Sequence, residues 1–331
     1  MKKFFIPLVI PALLSSCFKE DELIPRQEIF EEVGRVDMTS EDGVEYPKQV
    51  YFDISTNQVK AFNYRDEWDL ALGCEAGKPN LFVNTSLLMR VAGTGSSQWG
   101  ATFSTNNYEF QYERVDRFFD KGWLAGDFSG SNPQGQVFII DLGRDLKNKL
   151  RGYRLLQITA YNAQSYTLRI ATLDYSVDQT VTVPLNPLYN FVYLSFDDPN
   201  TVMELEPPKS EWDLWFTRYM ERLYDGNDTL DYSVTGCLIN PYLTSAAFLT
   251  DSIPFEQISL ENSDLSLLST RTSIIGHDWK FYDLDQGLFL VKENNVYLVQ
   301  DAEGTTFKMV FSGFYDEAAH KGAVAFRFLP L

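Results

Sequence analysis

Histidine, cysteine and positive charge are scarce in this 331-residue chain. Two histidines make His277 and His320 the sole imidazoles for acid–base or metal chemistry. Three cysteines, Cys17, Cys74 and Cys237, are too few for a disulfide-dense scaffold and form no Cys-x-x-Cys pair. Lys and Arg number 28 against 46 Asp and Glu, so the net charge of −18 repels nucleic acid and anionic lipid surfaces alike. The chain lacks His-Glu-x-x-His, Gly-x-Ser-x-Gly and a phosphate-cradling Gly-Lys-Ser/Thr, and Gly93–Ser97 reads as a plain loop. These absences argue against an enzyme. No apolar run reaches the roughly 20 residues that a membrane crossing requires, and long stretches with a helical period are missing too.

What is present begins at the N-terminus. Met1-Lys2-Lys3 is followed by an apolar stretch from Phe4 to Leu14, too short to span a bilayer and typical of a signal peptide. Leu14-Ser15-Ser16-Cys17 resembles the lipobox of bacterial lipoproteins, which implies a signal peptide over 1–16 and lipidation of Cys17. Acyl chains bury about 0.8 kcal/mol per CH₂, and several together anchor a protein firmly. Behind the cysteine, Lys19, Glu20 and Asp21 resemble the export signal that carries Bacteroidetes lipoproteins to the outer leaflet. The expected location is therefore the outer membrane, lipid-anchored and facing the cell exterior. Residues 17–44 are charged and aperiodic, and read as the acylated cysteine plus a flexible stalk.

Beyond the stalk, strand signals dominate. Gln136–Asp141, Tyr166–Ile170 and Thr180–Val183 are β-branched or aromatic, largely alternate, and are bounded by Gly, Asn, Asp and Pro. The stretch from Ser210 to Tyr224 suits either a helical turn or a buried strand. An internal repeat organises the rest. Gln49–Ile54 is echoed by Phe191–Phe196, Asn57-Gln58-Val59 by Asn200-Thr201-Val202, and Glu67–Leu70 by Glu211–Leu214. Val137–Asp141 resembles Val296–Asp301, and each leads to a further strand, Tyr153–Leu156 and Phe307–Val310. Four shared landmarks in one order predict an all-β protein of two tandem antiparallel domains of similar topology, 45–188 and 189–331. Trp68-Asp69 and Trp212-Asp213 are read as a copied structural device: each tryptophan in the core of its own half, each carboxylate accepting backbone or arginine donors. Cys74 and Cys237 could pair in an oxidising envelope or remain two buried thiols.

The order Val192–Phe196, Trp212–Phe216, Val296–Met309 and Gly322–Phe328 resembles the HmuY family of Bacteroidetes surface lipoproteins, more clearly in the second half than in the first. The resemblance implies an HmuY-like β-sandwich fold and a haemophore role beside a TonB-dependent receptor. Family members that bind haem ligate its iron through histidine or methionine. His277, in Gly276-His277-Asp278-Trp279, and Met220 are then the candidate haem ligands; His320 is expected to face solvent and Met309 to be core. Asp225–Asp228 and Asp283–Gly287 lack a full calcium loop and read as turns. Two functions follow. One is binding of haem or another nutrient; the alternative is a non-catalytic surface scaffold or protein-interaction lipoprotein with no cofactor.

Overall fold

The computed structural model describes residues 31–75, 80–113, 135–226, 228–249 and 253–331. Cys17, Lys19, Glu20 and Asp21 lie outside the described residues. No α-helix occurs among those described, and the chain is all-β. Along the first half run β1 (Glu32–Asp37), β2 (Lys48–Asp53), β3 (Gln58–Tyr64), β4 (Leu70–Gly73), β5 (Leu81–Val83), β6 (Arg90–Gly93), β7 (Gln111–Tyr112), β8 (Val137–Asp141), β9 (Tyr153–Asn162) and β10 (Ser165–Ala171). Along the second run β11 (Asp178–Pro184), β12 (Phe191–Leu194), β13 (Leu214–Asp225), β14 (Asp228–Ile239), β15 (Ser245–Phe248), β16 (Lys280–Asp283), β17 (Leu288–Val291), β18 (Val296–Gln300), β19 (Thr306–Tyr315) and β20 (Lys321–Pro330).

Counted from β1 and from β11 rather than from residues 45 and 189, the two halves exchange their opening strands. One outer sheet has the order β1-β20-β19-β18-β15 and the other β11-β10-β9-β8-β6-β7. Thus β1, which leads the first half, completes the sheet of the second, and β11 does the reverse. The next strands cross over as well: β2 pairs with β13, Phe52 opposite Leu214, while β12 pairs with β4, Leu194 opposite Leu70. This corrects two sequence expectations. Residues 32–37, assigned to the stalk, are a sheet strand, and Gly34 sits where an added Cβ would lie 2.3 Å from the Phe326 ring. The division at 188/189 leaves β1 and β2 on one side and their partners β20 and β13 on the other. Periodicity shows that a strand exists but not which edge it joins.

Four layers result. The inner sheets are β14-β13-β2-β3 and β12-β4-β5; within them β2, β4, β5, β12 and the start of β13 are buried on both faces, so these stretches are largely apolar. Val50, Phe52, Leu214 and Phe216 face one outer sheet, with Phe311 and Phe326 across from them. Leu70, Leu72, Val192 and Leu194 face the other, against Ile140 and Leu168. The alternate residues Tyr51, Trp68, Phe191, Tyr193, Trp212 and Trp215 meet in a central layer between the two inner sheets. Both tryptophans of the repeated motif therefore share one central core, rather than each occupying its own half.

Within that core the repeat is kept to the level of single bonds. Trp68 meets Tyr193 edge-on at 5.2 Å, and Trp212 meets Tyr51 at 5.0 Å. Asp69 N–H donates to Leu194 O and Asp213 N–H to Phe52 O. The Asn84 side-chain amide donates to Trp68 O, and that of Asn240 to Trp212 O. Each carboxylate also accepts a backbone N–H from the strand it borrows, Phe196 at 2.8 Å for Asp69 and Ile54 at 3.0 Å for Asp213. The copies then diverge. Arg151 holds Asp69 through both amino groups, at 2.5 and 3.1 Å, whereas Asp213 has the Thr244 hydroxyl at 3.0 Å. Burial pushes the Asp213 carboxyl up to about 7. Trp68 Nε1 donates to Gln49; the residue matching Gln49 is Phe191, and Trp212 Nε1 finds no acceptor among the described residues.

Candidate functional site

The β13–β14 hairpin is the element that builds clefts. Its strands pair over their full twelve residues, yet β13 touches β2 only from Leu214 to Phe216. The stretch read as helical turn or strand is therefore strand from Leu214 on, and beyond Phe216 it leaves β2 and pairs with β14 alone. The loop 271–278 is tied to its edge by paired bonds between Cys237 and Gly276, each 2.9 Å. Two glycines permit that approach: Gly276 has φ +64°, and a Cβ on Gly236 would lie 2.4 Å from Gly276 O. The next residue is His277.

His277 lines two clefts. The larger, about 820 Å³, lies between the hairpin end (Glu221–Tyr224), the loop 271–278 and Tyr297, with Arg271 and Lys292 on its wall. The smaller, about 460 Å³, is lined by Arg218, Lys280, Lys321, Tyr46 and Phe289 among others. His277 is half-buried, and its Nε2 lies 3.5 Å from Asp278 Oδ1. Burial lowers its pKa, Lys280 and Lys292 push the same way, and Asp278 opposes them. The imidazole is thus held neutral, the form that ligates a metal.

Met220 does not join it. It is 3% exposed, sits opposite Ser233 in β13, and lines neither cleft. The pairing of His277 with Met220 as two iron ligands is therefore not formed; nearness along the chain to the tryptophan strand carried no information about which cavity a residue reaches. A haem in the larger cleft would draw on His277 alone among the two candidates. His320 is exposed in the turn before β20, with Nδ1 2.9 Å from Asp316, and Met309 is core. Cys74 and Cys237 are free thiols in different cores. Asp283 caps its own turn by accepting from the backbone of Asp285 and Gln286. Among the described residues no group of three or more His, Cys, Asp or Glu could hold a metal ion.

Sequence reasoning missed the smaller cleft entirely. Its cations come from three distant segments, Arg218 from β13, Lys280 from β16 and Lys321 from β20. The one local clue is Lys280 itself, which opens a strand directly after Trp279 and is 7% exposed. Burial pushes its amine down to about 7.

Comparison with known proteins places a family name on this half. Residues 188–328 match the family model described as HmuY protein. No curated protein matches the chain. Among solved structures, the apo HmuY analogue of Tannerella forsythia is 9% identical, with 92% of this chain and 97% of that one covered at a TM-score of 0.35. Apo PinO from Porphyromonas gingivitis is 10% identical, covering 91% and 99% at 0.33. A putative HmuY-like heme binding protein from Bacteroides vulgatus is 14% identical, covering 50% and 91% at 0.18. Scores this low establish no common arrangement, so the assignment rests on the family match. That match begins four residues after β11 and ends inside β20, and so covers the second half except for its exchanged first strand. Over residues 188–328 the chain matches the HmuY family.

Proposed function

We propose that this protein is a surface-exposed, outer-membrane lipoprotein that binds haem or another scarce nutrient and works beside a TonB-dependent receptor. The observation that carries the reading is the 820 Å³ cleft with a neutral, half-buried His277 on its wall, inside the stretch that matches the HmuY family. Pockets for organic ligands run to about 300–1,000 Å³, so the space is adequate. Arg271 and Lys292 on the same wall suit the carboxylates of such a ligand. Titration of the mature protein with haem should give a Soret shift saturating at one equivalent, lost in His277→Ala and kept in Met220→Leu. An unshifted Soret band, or one that His277→Ala leaves intact, overturns the assignment of haem to this cleft.

The anchor follows from the N-terminal sequence. Cys17→Ala should abolish palmitate labelling, and replacing Lys19, Glu20 and Asp21 by alanine should remove the protein from the reach of protease added to whole cells. Persistent labelling, or unchanged cleavage, counts against lipidation or surface export respectively. The second reading, a non-catalytic scaffold, is favoured by exposed apolar residues at two hairpins, Tyr224 and Leu230 on one and Leu284 on the other. Co-purification of a receptor with a Leu230→Asp, Leu284→Asp variant as readily as with the wild type would remove that support.

A further inference from the structure

The smaller cleft has a charge that the rest of the molecule does not explain. In a chain of net charge −18, its wall carries Arg218, Lys280 and Lys321 against a single acid, Glu45. Glu45 is already engaged by Lys321 at 2.7 Å. Lys280 is 7% exposed, and its ammonium has one acceptor, Thr235 O at 2.5 Å. It otherwise lies over the rings of Trp279 and Phe314, 4.2 and 4.9 Å from their centroids. Arg218 gives its Nε–H to Ser233 Oγ at 2.7 Å, and its two terminal amino groups have no hydrogen-bond partner among the described residues. No carboxylate among those residues forms an ion pair with either cation. A further cation acts on Arg218: Arg65 donates to Tyr46 O and Ser86 O and repels the Arg218 guanidinium.

Burying a charge without a counter-charge opposes folding, and a merely structural role would be served better by an apolar side chain. Arginine forks pair with carboxylate or phosphate oxygens in two parallel bonds. Tyr46, Tyr232, Tyr282 and Phe289 line the same space and offer ring faces. We propose that this cleft is a binding site for a small, flat organic anion, its carboxylate or phosphate held by Arg218 and Lys280 and its ring held against the aromatic wall. The site is separate from the one assigned to haem, although His277 borders both, and it does not depend on haem binding there.

The test uses the mature protein and 1-naphthoate as the probe, with neutral 1-naphthalenemethanol as the uncharged control and inorganic phosphate as competitor. Naphthoate should bind, and the alcohol should bind about tenfold or more weakly, as loss of a charge-assisted contact implies. Arg218→Gln and Lys280→Gln should each weaken naphthoate by a similar factor, while Arg271→Gln, in the larger cleft, should not. Competition by phosphate places the anion's head group, rather than its ring, at the cations. Equal binding of the alcohol, or naphthoate affinity unchanged in both variants while their melting curves match the wild type, overturns the proposal. Haem titrations of the same variants keep the two sites apart. Naphthoate binding that neither variant weakens, with haem still bound, refutes this inference alone; absence of haem binding in the wild type, with the naphthoate results as expected, refutes the haem assignment alone.

Discussion

Replacing Asp69 and Asp213 separately by asparagine tests the idea that the halves share a fold but not its electrostatics. The Asp69 side chain is 1% exposed and that of Arg151 13%, and they are joined through two hydrogen bonds. Asparagine at 69 keeps one oxygen for Phe196 N–H but turns an amide toward a guanidinium left with only the exposed Asp197, 3.7 Å away, as counter-charge. Breaking one side of a buried pair costs about 3–5 kcal/mol, a large part of the roughly 5–15 kcal/mol that holds a domain together. Asparagine at 213 can still accept from Ile54 N–H, and the Thr244 hydroxyl can turn to accept from the new amide, so in acid, where the wild-type carboxyl is protonated, the cost should stay within about 1 kcal/mol. The pH dependence separates them further. Burial raises the Asp213 carboxyl from 3.8 to about 7, so the folded state holds that proton more tightly than the unfolded chain does. The wild type therefore loses stability through this group as pH rises from about 4 to about 7, by about 4 kcal/mol at about 1.4 kcal/mol per tenfold. Asparagine has no such loss, and Asp213→Asn should gain on the wild type across that window. Urea unfolding followed by tryptophan fluorescence at about pH 5 and about pH 8 reads both effects. Equal losses for the two variants at the higher pH, or a flat difference for Asp213→Asn, would refute the reasoning.

Three further outcomes are expected. Trp68→Ala and Trp212→Ala should each cost about 3–5 kcal/mol and lower the same single melting transition, because the rings share the central layer; calorimetry showing two separate transitions would contradict this. Gly34→Val should destabilise by about 1–3 kcal/mol, since its Cβ would overlap the Phe326 ring; a melting temperature equal to wild type would mean that β1 is not docked as described. Lys280→Met should stabilise the unliganded protein by roughly 1–3 kcal/mol at about pH 6. The folded amine titrates near about 7, well below 10.5, so the penalty for the charged form is complete below the folded value and fades as pH rises toward the unfolded one. A gain that stays constant through that range would place its cause elsewhere.

The sequence by itself determined the all-β class, the ordered repeat and the HmuY resemblance of the second half. Each rests on local chemistry: alternation on a pleated strand, turn residues at its ends, and a Trp-Asp pair copied with its setting. The same reading placed residues 32–44 in a stalk and gave each tryptophan a core of its own, because a strand's pattern records that its faces are buried and not by what. Only the tertiary structure decided that β1 and β2 join the sheets of the second half, that β11 and β12 join those of the first, and that the two tryptophans meet in one layer. It also decided the site. Glycine pairs and the β13–β14 hairpin bring His277 to two clefts and leave Met220 out of both, and folding gathers Arg218, Lys280 and Lys321 from segments more than forty residues apart. Charge convergence of that kind has no local signature, since in the sequence each cation is one lysine or arginine among 28.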